Sequence, residues 1–468
     1  MSNEESLYAE WKKIYPRSQS GFFRTLRWRL STLFLGIYFF LPFLRWDRGE
    51  SQPNQAILFD IYQRKFFIFD LIIWPQDIFV LAFLLIAAAL GLFFMTALAG
   101  RVFCGYLCIQ TVWTDLFLLI EKLFEGNRKQ RIKRDSAPWN GRKILIKTGK
   151  HLTWFLLSLW TGLAFILYFA DTPTLLRSFI EGTTPSPAWF TMLFLTFTTY
   201  TMAGFAREQV CIYMCPYARF QGAMFDEDSL IIAYHPEIGE PREANRQKRV
   251  SMGSAVGQCI DCQACVTVCP TGIDIRNGQQ YECITCGACI DACDDVMNRL
   301  GKPKNLIRYT SLREMTGAKT NWFRPRILVY SALLSLFLLG IVGFLAIRPP
   351  MELTILRHRQ PLYILLSNGD IQNNYTLRIL NMSNADQTYA IQVEGLPKAT
   401  WSVATNPLQN SQGAPLLPVK AGEIGSFTLY LRQPHSQTTS GSRDIDFRLT
   451  ALDTKGGSAT YHSVFIGP

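Results

Sequence analysis

The sequence predicts a polytopic α-helical membrane protein of about five transmembrane helices, with a cysteine-rich insert before the last helix and a C-terminal β-sandwich. Three observations predict it. Several windows approach the roughly 20 apolar residues that a helix needs to cross a bilayer. Eight of the 12 cysteines crowd residues 259–293. Residues 351–468 alternate polar and apolar side chains with period two. With 468 residues, the chain is long enough for several domains.

Five windows are expected to span the membrane: 22–44, 77–99, 151–170, 188–206 and 327–347. Pro42 interrupts the first late, and threonines lower the hydropathy of the fourth. Trp and Tyr near several ends suit the membrane interface. The first window lacks a small-residue cleavage site, so it reads as a helix rather than a signal peptide.

Lys and Arg set the expected orientation, because cytoplasmic loops carry the excess. Segments 1–29, 100–150 and 207–326 hold 6, 11 and 15 of them, whereas loops 45–76 and 171–188 hold 4 and 1. The first three segments are therefore expected in the cytoplasm, and the tail after Arg348 outside. The net charge of +11 follows from these loops and does not require nucleic acid. The run Arg128-Lys129-Gln130-Arg131-Ile132-Lys133-Arg134 is expected to anchor the topology and contact anionic lipid.

All 12 cysteines fall on the predicted cytoplasmic side. Cytoplasmic cysteine sets point to metal binding or catalysis rather than to disulfides. Cys259, Cys262, Cys265 and Cys269, the last followed by Pro270, repeat the spacing of Cys283, Cys286, Cys289 and Cys293. Three closely spaced thiolates wrap one iron–sulfur cubane, and the fourth of each run serves the other cubane. The expected ligands are Cys259, Cys262, Cys265 and Cys293 for one [4Fe–4S] cluster. Cys283, Cys286, Cys289 and Cys269 serve the second. Asp294 stands where a second proline is expected and removes no ligand. Two four-thiolate zinc sites are the alternative, but zinc favours paired CxxC units with longer spacers.

The other four cysteines form two CxxxC pairs, Cys104 with Cys108 and Cys211 with Cys215, just past the inner ends of the second and fourth helices. On a helix, positions i and i+4 share a face. Four converging thiols would suit copper, zinc or a further iron–sulfur centre. Inert packing is the plainer alternative. Arg101, Arg207 and Arg219 lie nearby, either favouring thiolates or serving as interfacial anchors. Met192, Met202, Met214 and Met224 read as packing, and the five histidines have no metal spacing. No nucleotide-binding fingerprint is present, so electrons must come from a partner or a quinol.

In the tail, alternation is clear at 389–394, 427–431 and 444–450, separated by turn-rich stretches at 381–384 and 455–458. About seven short strands indicate an immunoglobulin-like sandwich, without its usual disulfide. The expected organisation is a cytoplasmic segment 1–21 and a membrane domain 22–225. A ferredoxin-like domain follows at 226–326, opening on a charged, loop-like stretch 226–250. A fifth helix 327–347 and an outer sandwich 348–468 complete it.

The stretches GRVFCGYLCIQTVWTDLF and VCIYMCPYARFQGAMFD, the eight-cysteine repeat and the sandwich together resemble the cytochrome c oxidase accessory proteins of the FixG/CcoG type. These are membrane polyferredoxins linked to assembly of cbb3-type oxidase. One departure is visible: Cys108 is followed by Ile109, where the family has proline. The resemblance implies a bacterial inner-membrane oxidoreductase that reduces Cu(II) to Cu(I) for the oxidase copper centre. Cys104, Cys108, Cys211 and Cys215 would then bind or reduce copper. Implied partners are the bilayer, oxidase subunits or copper-delivery proteins, and a cytoplasmic donor or quinol. A quinol-linked relay without copper chemistry and an assembly scaffold are the competing readings.

Overall fold

The computed structural model describes residues 13–49, 52–242, 256–383, 385–404, 414–434, 437, 441–452 and 457–468. The chain forms two compact units, Met1–Pro42 with Gln76–Ile341, and Phe43–Pro75 with Val342–Pro468.

The first unit is mostly helical. In order come α1 (Phe22–Phe40), α2 (Ile78–Ala99), α3 (Val102–Tyr106), α4 (Ile109–Glu125), α5 (Arg128–Ser136), α6 (Gly141–Ile166), α7 (Thr172–Glu181) and α8 (Ser186–Thr201). Two π-helical turns, Met202–Ala206 and Val210–Met214, lead into α9 (Pro216–Met224). Among the described residues, three stretches are long and apolar enough to span a bilayer: Pro75–Ala99, Val102–Glu125 and Pro325–Ile347. The first and last are only 11% and 6% buried, as a lipid-facing surface requires, whereas Val102–Glu125 is 50% buried. That stretch also breaks between α3 and α4 and buries Asp115, Glu121 and Glu125. It therefore packs chiefly as an internal helix. Helices also form at the other three expected windows. However, α1 and α8 have 19 and 16 residues, and the first turns of α6 carry Arg142, Lys143, Lys147 and Lys150.

The inner ends of these helices share a buried charge network. Glu121 and Glu125 are fully buried. Glu121 meets Arg131 at 3.0 Å and Arg207 at 3.1 Å, and Glu125 meets Lys147 at 2.8 Å and Lys150 at 2.9 Å. Removing one partner from such a network strands a buried charge. Arg207 is thus a buried ion pair and not the interfacial anchor that its sequence position implied. The basic run is likewise half consumed. Arg128 donates to the Tyr15 carbonyl, Arg131 to that of Pro16 and Arg134 to that of Glu125. These three arginines clamp the chain, while Lys129 and Lys133 are exposed.

The cysteine-rich insert contains β4 (Ile231–Tyr234), the short α10 (Pro236–Gly239), α11 (Ala264–Val268), α12 (Ala288–Arg299) and β5 (Ile307–Thr310). A one-turn helix α13 (Leu312–Met315) precedes α14 (Pro325–Ile347). β4 and β5 pair antiparallel, Ile231 opposite Thr310. This corrects the loop reading of 226–250 in part: Ile231-Ile232-Ala233-Tyr234 is a wholly buried apolar run. The rest of that stretch, from 243, lies outside the described residues.

The second unit holds the sandwich. One sheet has the order β10 (Thr400–Val403), β12 (Ile424–Gln433), β8 (Ile371–Asn381), β6 (Met351–Arg357), with β7 (Ile364–Leu365) also on β8. The other has the order β11 (Leu416–Val419), β9 (Gln387–Glu394), β13 (Ser442–Ala451), β14 (Ser458–Ile466). Their inner faces meet through Tyr375, Leu377, Leu429, Phe447 and Leu449, all fully buried. The sequence reading makes 45–76 an outer loop. It folds instead as the sheet β1 (Ile57–Asp60), β2 (Lys65–Ile68), β3 (Leu71–Ile73). Leu58, Phe67, Ile72 and Trp74 bury against Leu380 of the sandwich. The segment and the tail therefore lie on the same side of any membrane.

Candidate functional site: paired thiol cavities and two broken CxxxC turns

The two four-cysteine runs adopt matching backbones. Asp261 and Thr285, one residue before the second cysteine of each run, have φ of 52° and 55°. Gln263 and Gly287, one residue after it, have φ of 56° and 74°. Such left-handed residues are costly without glycine, and they curl each run around a central space. α11 and α12 then cross closely through Ala264, Val268 and Ala292.

Two small cavities of about 20 Å³ result. Cys259, Cys262, Cys265 and Cys293 line the first. Cys269, Cys283, Cys286 and Cys289 line the second, with Cys265 on the wall between them. Among the described residues, no three His, Cys, Asp or Glu side chains converge tightly enough for a single metal ion. Four thiols around each cavity match the four-cysteine ligation of an iron–sulfur cluster. Burial pushes Cys283 and Cys293 up to about 12, and Cys265 to about 11. Bound iron must offset that cost when it takes them as thiolates. Arg276 also lines the first cavity, held by Asp274 at 2.7 Å and by Asp261. The motif spacing gives no hint of this cation.

The CxxxC pairs do not lie on continuous α-helices, contrary to the sequence reading. Cys104 is in α3, but Cys108 is extended (φ −62°, ψ 131°) and starts α4. Cys211 is in the second π-turn, and Cys215 is extended (φ −80°, ψ 110°) before α9. A residue before proline disfavours helix, which explains Cys215. Cys108 breaks alike, although Ile109 and not proline follows it. The four cysteines lie close enough to influence one another. Burial pushes Cys211 up to about 12, with smaller contributions from Cys108, Cys104 and Cys215.

The first pair abuts the second cavity. Cys104 packs with Ile284 and Cys286 in one buried cluster. A Cβ on Gly105 would meet the Ile284 carbonyl at 2.7 Å and Cys286 Cα at 3.0 Å. Tyr106 Oη donates to the Cys286 carbonyl at 3.2 Å, and Tyr309 Oη to that of Thr285 at 2.7 Å. Gln221, fully buried, accepts from Arg101 Nε at 3.1 Å and from Cys104 Sγ at 3.2 Å. Cys211 of the second pair reaches the same region. A cavity of about 30 Å³ is lined by Cys211, Gln110, Glu208, Pro270 and Thr271. Thr271 Oγ1 is 3.3 Å from Cys269 Sγ. Sequence reasoning missed Gly105, Gln221 and Tyr309, whose roles arise only from contact. Arg219 is exposed.

Helices apolar enough for a bilayer, two thiol-lined cavities and a β-sandwich define a membrane-associated iron–sulfur protein of the electron-transport class. Comparisons with known proteins agree. Residues 206–312 match the 4Fe-4S dicluster domain family, and residues 81–128 match a 4Fe-4S binding domain family. Residues 341–468 match the IG-like fold found at the C-terminus of FixG. Protein RdxA of Cereibacter sphaeroides is 44% identical over 462 residues, covering 97% of this chain and 96% of the relative. Nitrogen fixation protein FixG of Rhizobium meliloti is 43% identical, covering 85% and 82%. Protein RdxB of Cereibacter sphaeroides is 43% identical, covering 99% and 98%. The chain belongs to the FixG family.

Proposed function

We propose that this protein is a membrane oxidoreductase that reduces Cu(II) to Cu(I) for the copper centre of a cbb3-type cytochrome c oxidase. Cys259, Cys262, Cys265 and Cys293 hold one [4Fe–4S] cluster, and Cys283, Cys286, Cys289 and Cys269 hold the other. When bound, the two clusters supply one-electron storage and transfer. Cys104, Cys108, Cys211 and Cys215 receive copper as substrate, and each Cu(II) takes one electron. Soft thiols favour the Cu(I) product.

One observation carries this reading: Cys104 and Gly105 pack directly on the Ile284–Cys286 loop. The contact gives electrons a short exit from the second cavity to the CxxxC thiols. Cys262, the exposed cysteine of the first cavity, marks the entry side for a cytoplasmic donor. The cavity beside Cys211 gives an ion room to approach. On this reading the protein spans the bacterial inner membrane. Its N-terminus and ferredoxin-like insert are cytoplasmic. The sandwich, with 43–75, lies in the periplasm and docks oxidase subunits or copper-delivery proteins.

The test is anaerobic mixing of reduced full-length protein with Cu(II), following cluster absorbance and Cu(I) trapped by a chelator. The control replaces Cys104, Cys108, Cys211 and Cys215 with serine and must retain its iron. Fast Cu(I) formation by the native chain alone supports the proposal. Equal rates in both, or no Cu(I) in either, refute it. The second outcome moves the quinol-linked relay or the scaffold ahead.

A further inference from the structure

A groove of about 500 Å³ lies where α1, α4 and α5 meet, outside the thiol cavities. Six cations line it: Arg17, Arg24, Arg27, Lys122, Arg128 and Arg131. Asp115 answers Arg24 at 3.1 Å and Arg27 at 2.6 Å, and Glu121 answers Arg131 at 3.0 Å. Among the described residues, no carboxylate meets Arg17, Lys122 or Arg128. Arg128 Nε reaches only a neutral carbonyl, that of Tyr15 at 2.8 Å. Arg27 and Arg131 are each 4% exposed, and the buried Nε of Arg131 has no hydrogen-bond partner. Positive charge this concentrated at a half-enclosed surface calls for a counter-anion.

The groove has a second character. Trp28, Leu118 and Leu119 form an apolar wall. Further along α1, Leu33 and Ile37 are more than half exposed, as lipid-facing side chains are. An anionic head would meet the cations while an apolar body followed α1. Basic pockets between membrane helices on the cytoplasmic side bind phosphate-bearing headgroups in this way.

We propose that this groove binds a phosphate-bearing anion, with an anionic phospholipid headgroup as the favoured source. The site abuts the eight-cysteine region, because Pro270 and Ala288 form part of its wall. The proposal is independent of copper reduction.

The experiment uses the full chain in nanodiscs of phosphatidylcholine with or without phosphatidylglycerol. Tightly bound lipid is counted by native mass spectrometry. Binding of phosphatidylglycerol and of inorganic phosphate is titrated separately. The first variant is Arg17→Gln/Lys122→Gln/Arg128→Gln. At about 1 kcal/mol per basic residue near a headgroup, it should bind phosphatidylglycerol on the order of 100-fold more weakly. Arg17→Gln/Lys122→Gln changes two exposed side chains, spares the clamp on Tyr15 and should lose roughly 10-fold or more. Iron content must match the native chain in both. Retained phosphatidylglycerol that these variants lose supports the lipid source. A soluble organic phosphate released on denaturation, and lost likewise, supports the same site with the other source. Equal retention by native chain and variants, or no phosphate-bearing ligand on either, overturns the proposal.

Discussion

Replacing Gly105 with alanine tests whether the first CxxxC pair must touch the Ile284–Cys286 loop. The added Cβ would lie 2.7 Å from the Ile284 carbonyl, 3.0 Å from Cys286 Cα and 3.1 Å from the Thr285 carbonyl. All three are backbone atoms, so no side chain can rotate away. Reaching an ordinary 3.4 Å contact requires about 0.7 Å of movement between α3 and the loop. Overpacking of this kind costs about 1–3 kcal/mol. Alanine returns about 1 kcal/mol through helix propensity, because Gly105 lies within α3. The net cost is therefore about 0–2 kcal/mol, small enough for the chain to fold and retain its iron. Transfer to copper should suffer more, because misplacement near 1 Å can cost up to about 100-fold in rate. The assay is anaerobic stopped-flow of the reduced protein with Cu(II), with iron content and thermal unfolding measured on the same sample. Gly91→Ala is the control, since nothing lies within 4 Å of its added Cβ. A Gly105→Ala protein with native iron content, native stability and a native rate would refute the reasoning.

Other perturbations follow from the same structure. Gly287 has φ +74°, and a Cβ there would strike Phe23 at 2.6 Å. Gly287→Ala should thus lower iron occupancy, while Gln263→Gly at the matching position should leave it unchanged or raise it; iron and sulfide analysis checks both. Burial alone would raise Asp135, but hydrogen bonds from Lys13, Lys147 and Tyr15 outweigh it and hold the carboxyl well below the usual range. Its stabilisation is therefore present above an ordinary aspartate value of about 4 and disappears as pH falls through the lowered value. Asp135→Asn should flatten that acid dependence and expose residues 13–17 to hydrogen exchange at neutral pH. Phe447 is fully buried against Tyr375, their rings 5.0 Å apart. Phe447→Ala should destabilise the sandwich by about 3–5 kcal/mol, read as faster hydrogen exchange across β8, β9 and β13, with iron content unaffected.

The sequence by itself determined what depends on spacing and periodicity. Three residues between cysteines, or two, are covalent constraints, so the repeat at 259–293 announces its chemistry before any folding. Period-two alternation locates β9, β12 and β13 because side chains on a strand must alternate faces. Apolar length marks α2 and α14 because an unpaired backbone cannot enter lipid.

What tertiary structure decided is contact between residues distant in the chain. The basic run 128–134 reads as a surface anchor, yet Arg131 turns inward because Glu121 is buried beside it. Residues 57–73 read as a loop, yet their short strands are stabilised by burying Trp74 and Phe67 against Leu380. The CxxxC pairs read as helical faces, yet both break at the second cysteine, and one does so without a proline. Gly105 is an unremarked residue in sequence and a point of backbone contact in space. Local rules fix what each segment can become, and the partner that buries it fixes what it does.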